Sequence, residues 1–137
     1  MMRPSLLLVL ASLQSQAATL VGFAALPPDT VSPGPISGQF IGPANGREPP
    51  FAGQPVQGFS ALLRERDGSF LALTDNGYGA RANSPDFLLR VYRLRPDFRT
   101  AQGGSGRIDA ELLITLHDPG HHMPYRIQAE AHGYLDT

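Results

Sequence analysis

Asp75, Asn76 and Asp86 are hard oxygen donors gathered in one polar stretch between two apolar runs, with Arg81 among them. Donors of this kind suit calcium or another divalent cation. A cation held by Asp75, Asn76 and Asp86 would bind a phosphate and orient a water against phosphorus. Arg81 would meet the phosphate oxygens, because a guanidinium is planar and donates in pairs. The same residues also spell a turn, since Asp and Asn bond their own backbone and Gly77 supplies conformational freedom. The two readings are compatible, and the sequence leaves both open.

Other polar groups are weaker candidates. His117, Asp118, His121 and His122 fall within six residues. That spacing suits a transition metal or an acid/base site, and equally an exposed loop softened by Pro119-Gly120. Ser60 follows Gly58-Phe59 like the front half of a nucleophile elbow, but Leu62 stands where glycine is needed and no helix follows. A buried strand serine with a bonded hydroxyl is the better reading. Gly103-Gly104-Ser105-Gly106 precedes a strand and lacks the lysine of a phosphate cradle, so it is a flexible connection. Arg90, Arg93, Arg95 and Arg99 are balanced by Asp86 and Asp97 and read as a solvated strand face. Nucleic-acid binding is not expected.

The elements that must position these residues are strands. Residues 58–64 (GFSALLR) and 69–74 (SFLALT) flank Arg66-Asp67-Gly68, a hairpin signal. Both carry apolar residues on both faces, which implies burial on both sides. Residues 87–95 form a third strand closed by Pro96-Asp97, and residues 108–117 alternate like a half-buried edge strand. The expected fold is all-β: a four-stranded antiparallel meander with the anatomy of one β-propeller blade. A blade cannot bury both faces without neighbours, so the remaining blades are expected elsewhere and the chain reads as the N-terminal part of a longer protein.

Residues 18–57 form a Pro/Gly-rich lead-in, with Pro27-Pro28, Pro33-Gly34-Pro35, Asn45-Gly46 and Pro49-Pro50 as punctuation. No helix fits there; short extended pieces fit at Val31 and at residues 39–41. Residues 1–17 have the form of a secretory signal peptide: Arg3, an apolar run from Leu6, and a small-x-small signal at residues 15–17. The run is too short to span a bilayer, which takes about 20 residues. A secreted or periplasmic product, with no membrane segment after cleavage, is the expectation.

Composition narrows the classes. The chain has 137 residues, a net charge of -1 and no cysteine, so disulfides and thiolate metal sites are excluded. Every basic residue is arginine, which excludes lysine chemistry. Gly 15 and Pro 13 are too many for a helical protein.

Residues 58–98 resemble the opening of the phytase-like domain of the "esterase-like activity of phytase" family. The resemblance lies in Gly58-Phe59-Ser60, residues 73–77 (LTDNG), residues 83–89 (NSPDFLL) and residues 93–98 (RLRPDF). It continues through the Gly-rich loop to His117-Asp118-Pro119. It implies an exported β-propeller that hydrolyses a small-molecule phosphoester or carboxylic ester, with residues 58–137 as its N-terminal part. The alternative is a non-catalytic exported propeller that binds a ligand around structural calcium. A Gly-x-Asp-Phe-Asp-x-Glu-Ser stretch typical of the family is absent from this chain, and residues 126–137 are expected to depart from the family pattern.

Overall fold

The computed structural model describes residues 18–117 apart from Asn76. The signal-peptide reading of residues 1–17 and the group at Asp118, His121 and His122 lie outside the described residues.

Among the described residues eight strands follow one another: β1 Gly22–Phe23, β2 Val31–Ser32, β3 Gln54–Pro55, β4 Phe59–Arg64, β5 Phe70–Thr74, β6 Arg90–Asp97, β7 Arg99–Thr100 and β8 Arg107–Thr115. No α-helix occurs among the described residues; a short 3-10 turn spans Arg81–Asn83. The last four long strands form one antiparallel sheet in the order β4-β5-β6-β8, which is the expected meander. Two small antiparallel pairs accompany it: β1 with β7 ties the lead-in to the rest, and β2 with β3 closes the lead-in on itself.

Local chemistry explains the connections. Between β4 and β5, Gly68 takes φ 87° and Asp67 accepts from the Ser69 amide at 2.9 Å and the Ser69 hydroxyl at 2.6 Å. The Glu65 amide closes the hairpin on Ser69 O at 2.8 Å. This is the turn that Asp-Gly predicts. Asn45 and Gly46 both have positive φ, 53° and 73°, and Ala44 and Arg47 exchange both backbone bonds around them. A two-residue turn with both central residues left-handed needs that sequence. β6 runs on through Pro96 to Asp97. There β5 has already ended, with Phe70 opposite Leu94, so Pro96 sits where β6 has one neighbour and its missing N–H is tolerated.

Register divides the sheet into two faces. On one, Phe59, Phe70, Ala72, Tyr92, Leu94, Ile108 and Ala110 pack with Leu26 and Val56 from the lead-in. Phe87, at 1% exposure, and Leu88 and Leu89 are buried next to it. Fully burying one such side chain stabilises by about 1.5–3 kcal/mol. The other face is split. Arg93 and Arg95 pair there with Glu65, Glu111 and Asp109. Leu63 and Ile114, on strands at opposite edges of the sheet, stay 65% and 52% exposed.

Four expectations are corrected. The first hairpin strand is an edge, not an inner strand, so Leu62 and Leu63 are exposed despite their apolar pattern. The third strand starts at Arg90, because the Leu88 amide bonds the Gln54 side chain rather than a strand neighbour. Arg90 does not lie on a solvated face. It shares the parity of Tyr92 and is buried, donating to Ser32 Oγ at 3.1 Å and Pro33 O at 2.8 Å. In the lead-in, Val31 is extended as expected, whereas residues 39–41 lie in a turn closed by the Ile41 amide on Gly38 O.

Candidate functional site

The loop between β5 and β6 carries the residues of interest. Asp75 follows β5 directly, and its amide bonds Gly58 O at 3.1 Å. Its carboxylate accepts the hydroxyl of Ser60 on β4. Ser60 is thus bonded as expected, yet it is exposed rather than buried, because β4 is an edge. Arg81 opens the 3-10 turn that follows. Asn76 lies outside the described residues.

Asp86 ends the polar part of the loop and is 4% exposed. Its Oδ2 accepts the Gln39 amide at 2.8 Å and the Gln39 side-chain amide at 3.4 Å. Its Oδ1 is buried without a hydrogen-bond partner. Asp75 is therefore drawn towards β4, and Asp86 towards the lead-in. Among the described residues, no group of three or more His, Asp or Glu side chains comes together that would hold a metal.

The lead-in contributes more than the sequence signals. Gln54, 1% exposed, donates to Pro35 O at 3.1 Å and Asp86 O at 3.0 Å, and accepts the Leu88 amide at 2.8 Å. Ser37, fully buried, bonds Gly53 O at 2.7 Å and the Tyr78 hydroxyl at 2.8 Å. The Tyr78 ring lies edge-on to Phe87, at 5.6 Å, and stacks with Phe51 at 6.3 Å. Burial pushes the Tyr78 phenol above its ordinary pKa, and the Asp86 charge adds to this against the opposing bond from Ser37. The phenol therefore stays protonated through the neutral range. Gly77 is required by close approach: a Cβ there would fall 2.0 Å from the Phe87 ring. Gln57 donates to Gly77 O and fixes the same loop from the β3 side.

Beside this loop lies a cleft of about 420 Å³. Its walls include Val31, Ile41, Phe51 and Pro55 from the lead-in, with Gln57 and Tyr78 on the side of the loop. No pattern in the sequence marks this cleft. Its residues are spread over a Pro/Gly-rich segment without periodicity, and only the folded chain brings them to Tyr78.

These features define an all-β meander whose preceding irregular segment walls a cleft next to a polar loop. The family model described as "Phytase-like: Esterase-like activity of phytase" matches residues 54–132, more than half of the chain, and the chain belongs to that phytase-like family. The match begins at Gln54, and it extends past residue 126, where the sequence was expected to leave the family pattern. No curated protein and no solved structure matches the chain.

Proposed function

We propose that the protein is an exported hydrolase of phosphoesters or carboxylic esters, acting at the β5–β6 loop. The family membership carries this reading, since the family is described by esterase-like activity. The cleft beside Gly77 and Tyr78 supports it, because a concave, partly apolar site next to polar loop residues is where a small substrate binds. The open face of the meander, with Leu63 and Ile114 exposed, supports the view that the sheet is one blade packed by further blades. Asp75, held by Ser60, is assigned as a carboxylate that orients water or a cation, together with Asn76. Arg81 is assigned to substrate oxygens. Asp86 is assigned as the second carboxylate. Calcium or another divalent cation would need oxygens beyond these, and it would supply the Lewis acid of a metal-assisted reaction.

The test is hydrolysis of 4-nitrophenyl phosphate and 4-nitrophenyl acetate by the purified full chain, with calcium and with chelator. Turnover that falls at least about 100-fold in Asp75→Asn supports the reading. Turnover unchanged in that variant removes Asp75 from the mechanism. A second reading, a binding propeller with structural calcium, is favoured by the apolar character of the cleft. It predicts a melting temperature raised by calcium with no turnover of either ester.

A further inference from the structure

We propose that the cleft of about 420 Å³ binds an uncharged, ring-bearing group, and that the ester this protein handles is a neutral aromatic ester rather than a polyphosphate. The substrate part of this inference rests on the hydrolase reading above; the ligand class rests on the cleft itself.

The charge in the cleft argues first. Its lining holds Asp29, Glu48 and a single arginine, Arg47, so the lining is net negative. The Arg47 guanidinium is already engaged: Nε donates to Asp29 Oδ1 at 2.6 Å, and a terminal nitrogen donates to Asn45 O at 3.3 Å. A phosphate group would meet the Glu48 carboxylate and an Arg47–Asp29 pair whose charges offset each other. An anionic ligand with several phosphates would be repelled, because like charge at close range costs affinity.

The walls argue second. Val31 is 50% exposed, an apolar surface left open to solvent within the cleft. Ile41, Phe51 and Pro55 extend it. The Tyr78 hydroxyl is spent on buried Ser37, so the ring is what this residue offers to a ligand. That ring is fixed from two sides, stacked on Phe51 and edge-on to Phe87. A pre-positioned aromatic wall suits a second ring, and a wall that need not be ordered on binding loses less affinity. The volume falls within the roughly 300–1,000 Å³ of small-molecule sites.

Position argues third. Tyr78 follows Asp75 closely in sequence, which limits their Cα separation to about 11 Å. Asp75 does not itself line the cleft, so an ester on a ring seated against Tyr78 would reach it only through a linker. Most of the wall, from Pro28 to Phe51, precedes the span matched by the family model. Ligand choice is thus set by residues outside the shared part of the chain.

The experiment is binding of 2-naphthol and of inositol hexakisphosphate, each by calorimetry on the full chain, alongside turnover of 2-naphthyl acetate. The variants are Ile41→Asp, which puts a charge into the wall, and Gly42→Leu, where a Cβ meets nothing within 4 Å and folding is not threatened. Circular dichroism checks that each variant folds. The expected result is 2-naphthol binding that weakens at least about tenfold in Ile41→Asp and shifts in Gly42→Leu, with no measurable binding of the hexakisphosphate. Binding of 2-naphthol unaffected by both variants overturns the proposal, as does tighter binding of the hexakisphosphate. Turnover of 2-naphthyl acetate that ignores both variants overturns the cleft as substrate site and leaves the hydrolase reading standing. Binding at the cleft without turnover of 2-naphthyl acetate supports the ligand class and overturns the neutral aromatic ester as substrate.

Discussion

Gln54 is one of the residues through which the lead-in reaches the β5–β6 loop, and Gln54→Glu tests that role without changing its shape. The native amide gives its two N–H groups to Pro35 O and Asp86 O and receives the Leu88 amide. A protonated glutamic acid keeps the acceptor for Leu88 and one donor, so it loses one bond, to a part-buried carbonyl. That costs about 1 kcal/mol. An ionised glutamate has no donor and presents a charge to two carbonyl oxygens and to the neighbouring Asp86. Burial and hydrogen bonding to the neutral form both raise its pKa in the folded state. A raised folded pKa means the stability is present below the unfolded value, about 4.3, and is lost as pH rises above it. Between there and pH 7 lie about 2.7 units, so at 1.36 kcal/mol a unit the further loss reaches up to about 3.7 kcal/mol. The assay is urea unfolding followed by circular dichroism from pH 4 to 7, with the wild-type profile subtracted. Amide hydrogen exchange at Leu88 reports the same contact locally. A difference profile flat within about 0.5 kcal/mol across that range would refute the placement of the Gln54 amide against the Pro35 and Asp86 carbonyls.

Two further predictions concern the loop and the hairpin. Gly77→Ala drives a methyl group into the Phe87 ring, and overpacking of this kind is expected to cost about 1–3 kcal/mol, read as a lower melting temperature; an unchanged melting temperature would sink the close-approach argument. The Asp67 carboxyl is held below its ordinary value of 3.8 by its side-chain and backbone bonds from Ser69. Its contribution is therefore present above 3.8 and is lost as pH falls through the depressed folded value, so Asp67→Asn should flatten the acid limb of the stability profile. Carboxyl resonances that titrate at the ordinary value would contradict it.

The meander was legible in the sequence because its signals are local. Asp67-Gly68 fixes one turn, and Phe70, Ala72, Tyr92 and Leu94 follow the period of a strand. The edge position of β4 was not legible, since Leu62 and Leu63 look the same whether or not another strand lies beside them. Arg90 misled for a related reason: its type suggests solvent, while its parity with Tyr92 sends it inward. At the candidate site, Asp75 and Asp86 stand out by type, but nothing in their spacing tells that one turns to Ser60 and the other to Gln39. The contributions of Ser37, Gln39 and Gln54 could not be read, because ordinary polar residues in an aperiodic segment gain meaning only from what they meet.

The contacts of the lead-in have a kinetic consequence. Its bonds to the sheet and loop span long stretches of chain: 58 residues from Ser32 to Arg90, 47 from Gln39 to Asp86 and 41 from Ser37 to Tyr78. The meander instead joins strands that lie close in sequence, with only the two-residue β7 between β6 and β8. Closing a longer loop costs more entropy before any contact rewards it, so the sheet is expected to assemble ahead of the segment that covers it. The part of the cleft wall that is synthesised first is then the part fixed last, and the cleft is complete only once residues 28–57 have met Tyr78.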